Sequence, residues 1–175
     1  MTKKRDRFFA LFGALLFLAS ASALTIAVIV NGIHNHNQPS TSNPASTTPT
    51  TKLGGTQLNN FTPISSIPTL QEQDLVVGTG AAVKAGDTVT VDYTGAVAAT
   101  GIIFQSSLDS GQPISFGLNQ VIQGWTNGVP GMKVGGTRRL LIPAAQAYGA
   151  NPPAGSNIPA NADLVFDITL HKIGG

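Results

Sequence analysis

Six aromatic side chains are spread over residues 69–175 of this 175-residue chain: Tyr93, Phe104, Phe116, Trp125, Tyr148 and Phe166. Trp125 is the only tryptophan. The residues that usually carry covalent chemistry are scarce around them. The chain has no cysteine, which removes disulfides, thiolate metal ligands and thiol nucleophiles together. Between residues 69 and 175 the only histidine is His171, read as a solvated residue on the polar side of a strand. A serine–histidine–acid triad would need that histidine buried beside a serine. The seven carboxylates of this region (Glu72, Asp74, Asp87, Asp92, Asp109, Asp163 and Asp167) are scattered, with no pair marked for glycosidase work. No group of residues has metal-ligand spacing, so no metal is expected. Gly78-Thr79-Gly80 lacks the third glycine of a dinucleotide loop, and no Gly-Lys-Ser/Thr is present for phosphate, so no cofactor is expected. Each of the six rings taken alone reads as a core residue; taken together they suggest an aromatic-lined pocket with few polar groups.

Short strands must position those rings. Residues 88–94 alternate strictly, which puts Val89, Val91 and Tyr93 on one face. Residues 163–172 do the same with Leu164, Phe166, Ile168 and Leu170. Further candidates are 138–142, ended by Pro143, and 74–77, ended by Gly78-Thr79-Gly80, with shorter ones at 102–105 and 114–116. One brief helix fits residues 123–129, weakened by two glycines. Sixteen glycines punctuate residues 69–175, so turns are frequent. The pattern is antiparallel α+β; no βαβ alternation appears, which argues against a doubly wound parallel sheet.

The first 68 residues are of another kind. Residues 8–30 form a run of 23 positions without a charge, long enough to span a bilayer as a helix. Lys3, Lys4, Arg5 and Arg7 precede it against the single Asp6, and no basic residue follows until Lys52. That asymmetry keeps the N-terminus in the cytoplasm and places the remainder outside. A cleaved signal peptide is the rival reading, because Ala21-Ser22-Ala23 has the small-x-small form of a cleavage site. The apolar run continues past that point, from Leu24 to Val30, which favours an uncleaved anchor. Residues 31–68, rich in Asn, Ser, Thr and Pro, are expected to be a disordered linker that cannot bury enough apolar surface to order itself. As a flexible coil it would span roughly 35 Å. The pI of about 9.2 therefore reflects the N-terminal cluster, since residues 69–175 hold five basic residues against seven acidic ones. No nucleic-acid partner is expected from such a distribution.

Eight short motifs occur in a telling order. Val91-Asp92-Tyr93-Thr94-Gly95 comes first, then Ile103-Phe104-Gln105-Ser106-Ser107, then Gly111-Gln112-Pro113-Ile114-Ser115-Phe116. Val121-Ile122-Gln123-Gly124-Trp125, Gly131-Met132-Lys133-Val134-Gly135, Ile142-Pro143, Ala147-Tyr148-Gly149 and Leu164-Val165-Phe166-Asp167 follow. Over roughly residues 70–173 the chain resembles the FKBP-type peptidyl-prolyl isomerases, and the link Gly117-Leu118-Asn119-Gln120 is similar to that of their bacterial surface and periplasmic branch. The resemblance implies a curved antiparallel sheet wrapped around one short helix, with the pocket between them. It puts Trp125 at the pocket floor and Tyr93, Phe104, Ile114, Val121, Ile122 and Phe166 in its walls. The Tyr148 hydroxyl and the Ile122 N–H would meet substrate carbonyls, and Ile158 would close the rim.

The resemblance also implies a reaction that suits these residues. Rotation about an X–Pro bond must break amide resonance, at a barrier of about 18–20 kcal/mol, and needs neither nucleophile nor proton transfer. An apolar pocket favours the twisted amide, which has lost charge separation, so catalysis becomes differential binding of that state. The implied partners are proline-containing polypeptides and the family's macrolide inhibitors, with the lipid bilayer meeting residues 8–30. Two positions depart from the family. Gln105 stands where an aspartate is usual, and Ile114 where a phenylalanine is frequent. The leading expectation is an isomerase assisting exported proteins. A surface peptide-binding or chaperone domain with little turnover is the alternative, motivated by Gln105.

Overall fold

The computed structural model describes residues 52–174. Six strands form: β1 (Gln71–Val76), β2 (Thr88–Val97), β3 (Ile103–Ser106), β4 (Ile114–Gly117), β5 (Thr137–Ile142) and β6 (Leu164–Ile173), of which β2 and β6 lie where alternation predicts them. They make one antiparallel sheet in the order β1-β5-β6-β2-β3, and β4 pairs with the first half of β2. β2 is the hub: β6 runs along one of its edges, and β4 then β3 share the other. Register shifts at Thr90/Val91 and Gly95/Ala96 bend this long strand, as bulges do. The sheet thereby curves around a single six-residue helix, α1 (Gln123–Gly128).

Propensity argues against a helix holding Gly124, but packing requires that glycine. A Cβ there would collide with the Ile142 side chain, so only glycine lets α1 settle onto β5. Val89, Val91 and Tyr93 of β2, Leu140 and Ile142 of β5, and Leu164, Phe166, Ile168 and Leu170 of β6 close around Trp125 as the main core. Arg138 ties this layer together at one end. Its guanidinium donates to both Asp74 oxygens, at 2.6 and 3.2 Å, to Glu72 at 2.7 Å, and to the Gly128 carbonyl at 2.9 Å. One residue thus joins β1, β5 and the end of α1.

Burial along β2 changes halfway. Up to Tyr93 it alternates, but from Tyr93 to Val97 every residue is buried. The cause is residues 53–67, which lie across the outer face of the sheet. This corrects the expectation of a disordered linker over residues 31–68 for its described part, residues 53–67. Leu58 and Ile67, 6% and 3% exposed, are core residues, and Leu58 packs with Ala96, Ile103 and Val165 in a second cluster. The anchoring groups come from distant parts of the chain. Asp109 accepts from the Leu53 and Gly54 N–H groups, and Asp163 from the Ile67 N–H at 2.6 Å. Arg139 grips Asp167 through two bonds, at 2.6 and 2.7 Å. Its remaining N–H groups donate to the Asn60 and Asn59 carbonyls, and its guanidinium lies 5.4 Å from the centre of the Phe61 ring. Composition could not reveal this segment, because its order is supplied by carboxylates and an arginine far along the sequence.

The apolar run 8–30 and residues 31–51 lie outside the described residues. Among the described residues no helix is long and apolar enough to cross a membrane.

Candidate active site

A cavity opens between α1 and the concave face of the sheet, with about 310 Å³ of space that includes its mouth to solvent. Its lining is Tyr93 from β2, Gln105 from β3, Phe116 from β4, Val121 and Ile122 ahead of α1, Trp125 from α1, Tyr148 from the β5–β6 connection, and Phe166 from β6. The rings stand edge to face. Trp125 is 5.6 Å from Tyr93, 5.6 Å from Phe116 and 5.5 Å from Phe166, centre to centre, with interplanar angles of 78–89°. Such pairs are worth about 0.5–1.5 kcal/mol each beyond their area and hold the floor rigid. The indole, 4% exposed, is thus clamped by three rings from three different strands.

Of the ten residues expected at the site, seven meet around this cavity: Tyr93, Gln105, Val121, Ile122, Trp125, Tyr148 and Phe166. Three stand elsewhere. Phe104 is set one layer back, with its ring 5.7 Å from that of Phe166 at 84°. Both rings cross Gly95, where a Cβ would sit within 2.7 Å of each, so that glycine is what allows the stack. Ile114 is half-buried against the core, opposite Val91 in the β2–β4 ladder. Ile158, 8% exposed, belongs to the main core. Phe116, one of the six aromatics and given no wall position by the resemblance, also lines the cavity. The available signal was period two: Ile114 and Phe116 share a face of β4, and the ring of Phe116 reaches further.

The polar groups of the cavity are donors with nothing to donate to. No hydrogen bond is formed by the Tyr93 or Tyr148 hydroxyl or by the Ile122 N–H among the described residues. The Trp125 Nε1–H also has no partner, but it is closed off from solvent and does not open into the cavity. Buried polar groups are ordinarily paired, so a cluster of unpaired donors in one cavity is what a ligand with carbonyl oxygens would complete. Burial pushes the Tyr148 phenol up to about 12. It also raises Tyr93 well above its ordinary value, with the neighbouring Tyr148 adding to the shift. Both therefore remain neutral donors across the physiological range. No Asp, Glu, Lys, Arg or His lines the cavity.

The tyrosine at the heart of this wall is held by its backbone. The Tyr93 N–H donates to Ser107 Oγ at 3.0 Å, and Ser106 Oγ donates to the Tyr93 carbonyl at 3.1 Å. Ser107 in turn donates to Asp92 at 2.8 Å, and the other Asp92 oxygen lies 2.7 Å from His171 Nε2. The carboxylate stands between serine and histidine, so the imidazole touches no hydroxyl and a nucleophilic triad is excluded here. His171, 43% exposed at its side chain, is the polar strand residue its alternation predicts. Among the described residues no group of His, Asp or Glu could hold a metal ion.

Comparison with known proteins agrees with this geometry. Residues 80–171 match the family described as FKBP-type peptidyl-prolyl cis-trans isomerase. The chain is 52% identical over 104 residues to the isomerase FkpA of Aeromonas hydrophila, covering 59% of this chain but only 38% of that protein. It is 46% identical over 103 residues to an FK506-binding protein of Neisseria meningitidis serogroup B, covering 58% of this chain and 93% of that one. Among solved structures, a peptidyl-prolyl cis-trans isomerase of Pseudomonas syringae pv. tomato superposes with a TM-score of 0.54 at 37% identity, over 61% of this chain and 76% of the other. With more than half its length matched, and a sheet, helix and aromatic pocket to agree, the chain belongs to the FKBP-type peptidyl-prolyl cis-trans isomerase family.

Proposed function

We propose that this protein is a peptidyl-prolyl cis-trans isomerase that assists the folding of exported polypeptides. One observation carries the reading: an uncharged aromatic cavity whose only polar features, apart from Gln105, are hydrogen-bond donors without partners. A planar prolyl amide is stabilised in water by its charge-separated resonance form. The twisted amide has lost that form and is better matched to apolar walls. Trp125 supports the proline ring from below, and Tyr93 and Phe166 flank it. The Tyr148 hydroxyl and the Ile122 N–H take the flanking carbonyls and hold the peptide turned. No atom is transferred, so the rate gain is the difference in affinity between twisted and planar states.

Gln105 faces the same cavity. Its amide can donate or accept, where a carboxylate would only accept. This favours a second reading, a surface peptide-binding or chaperone domain with low turnover. Macrolides that fit the family's pocket belong to the same proposal, with affinity lowered by the missing negative charge.

The setting is also a proposal. Residues 8–30 anchor the chain in a bilayer, or are removed as a signal peptide. Residues 31–51 then tether the domain on the outer side, with the domain itself beginning at residue 53.

A protease-coupled assay on a Leu-Pro or Phe-Pro peptide tests the activity. Acceleration at micromolar protein that is lost in Trp125→Ala supports isomerisation. Equal, negligible rates for both proteins would eliminate it. In that case suppression of client aggregation by the Trp125→Ala variant would favour the binding reading, and a large gain from Gln105→Asp would mark drift away from catalysis.

A further inference from the structure

Strand β3 carries Phe104 and Gln105, and it is gripped from both sides. On the inner side, Ser106 and Ser107 hold the backbone of Tyr93 through the bonds described above. On the other side, residues 53–58 run beside it as a turn that ends in a single β-bridge. The Gly55 N–H donates to the Ile103 carbonyl and the Ile103 N–H to the Thr56 carbonyl, both at 2.8 Å. The Leu58 N–H reaches the Gly101 carbonyl at 2.9 Å, and Gln57 forms an antiparallel bridge with Ile102. Asp109, in the 3₁₀ turn directly after β3, accepts from the Leu53 N–H at 2.6 Å and the Gly54 N–H at 3.4 Å. Without these partners β3 would be a four-residue edge strand with its outer ladder open, and short edge strands are loosely specified.

We propose that residues 53–58 are a positioning element of the pocket: an edge segment that fixes β3, and through it Gln105 in the cavity lining and Phe104 behind Phe166, in the geometry a twisted prolyl amide fits. These residues precede the family match at 80–171, so they extend the working unit beyond it. None of them lines the cavity; they act through β3. The inference rests on the isomerase reading.

The test uses the full chain. Asp109→Ala removes the acceptor for Leu53 and Gly54, while Asp109→Asn keeps one acceptor oxygen and serves as the conservative rescue. Hydrogen exchange at the Leu58 and Ile103 amides reports loosening of the edge segment. Trp125 emission reports the pocket, and kcat/KM on a proline peptide reports catalysis. In Asp109→Ala, exchange should quicken, emission should shift and kcat/KM should fall about five- to tenfold, well within the hundredfold that roughly 1 Å of misplacement can cost. Asp109→Asn should recover most of the rate. Faster exchange with unchanged emission and kcat/KM would overturn the proposal. A rate loss that follows only the unfolded fraction seen by circular dichroism would overturn it too. If exchange does not change in Asp109→Ala, Leu58→Ala loosens the segment from its other end and the same readings decide. An inactive wild-type chain would strike the isomerase reading instead, while emission and exchange would still judge whether the segment sets the pocket.

Discussion

The two faces of the curved sheet treat polar groups in opposite ways. On the outer face each polar side chain that anchors residues 53–67 has its partners: Asp109, Asp163, Asp167 and Arg139 together make eight bonds. On the inner face the pocket leaves two phenols and a backbone N–H without any. A satisfied buried group adds stability, whereas an unsatisfied one is a standing cost, which a protein retains where a ligand will meet it. The contrast separates the part of the molecule that holds shape from the part that waits for substrate. It also says which substitutions should affect stability and which should affect rate.

The comparison is strained most by Trp125→Ala, which removes the floor. Cavity formation should cost about 3–5 kcal/mol of stability in urea unfolding. The isomerase rate should fall roughly hundredfold at a temperature where the variant is folded, equivalent to about 2.7 kcal/mol of barrier. Next comes Arg139→Ala on the outer face. It strands Asp167 and two carbonyls, and urea unfolding should register about 3 kcal/mol, because the arginine is buried although its carboxylate partner is partly exposed. For this variant the fall in stability should exceed the effect on rate. Tyr148→Phe should invert that order. Its hydroxyl has no partner, so stability should stay within about 0.5 kcal/mol, while loss of a substrate hydrogen bond lowers kcat/KM about tenfold. A large loss of stability in Tyr148→Phe would break the contrast.

The smallest expected effect is on pH. The phenol of Tyr148 is raised to about 12 and Tyr93 also lies above its ordinary value, so both donors keep their protons at neutral pH. The isomerase rate should be flat between about pH 6 and 9, a range in which no carboxylate, histidine or lysine lines the cavity to titrate. Stability should respond at the acid end. The hydrogen bond from Arg138, and then its charge, hold Asp74 below the usual carboxylate range. A depressed folded value means that this contribution is present above the unfolded value, near 3.9, and is lost as pH falls through the folded one. Because the Asp74 side chain is 43% exposed, the loss in acid titration should be small.

Much of this was legible in the sequence, for local reasons. Strict alternation named β2 and β6, and the inward residues it selected are the core. Motif order then located seven pocket residues. Two failures have a common cause in tertiary context. Residues 53–67 carry three apolar anchors, Leu58, Phe61 and Ile67, with no helical or strand period between them. Their order comes from Asp109, Arg139 and Asp163, 56 to 96 residues away, which no local window can see. The exchange of Phe104 and Ile114 for Phe116 in the lining depends on how far each side chain reaches across a bent sheet. Family position assigns a residue to a wall, but only packing decides which ring is in front.

The central claim is that this cavity lowers the barrier to X–Pro rotation through shape and donors alone. Exchange spectroscopy by NMR on a short Leu-Pro peptide measures the cis–trans interconversion directly, with no coupled protease. With catalytic amounts of the full chain, exchange cross-peaks should appear on a sub-second timescale, against tens to hundreds of seconds without catalyst. They should persist unchanged from pH 6 to 9 and vanish with Trp125→Ala. Peptide resonances that shift on binding, yet show no added exchange between cis and trans, would contradict the account and leave a binding domain in its place.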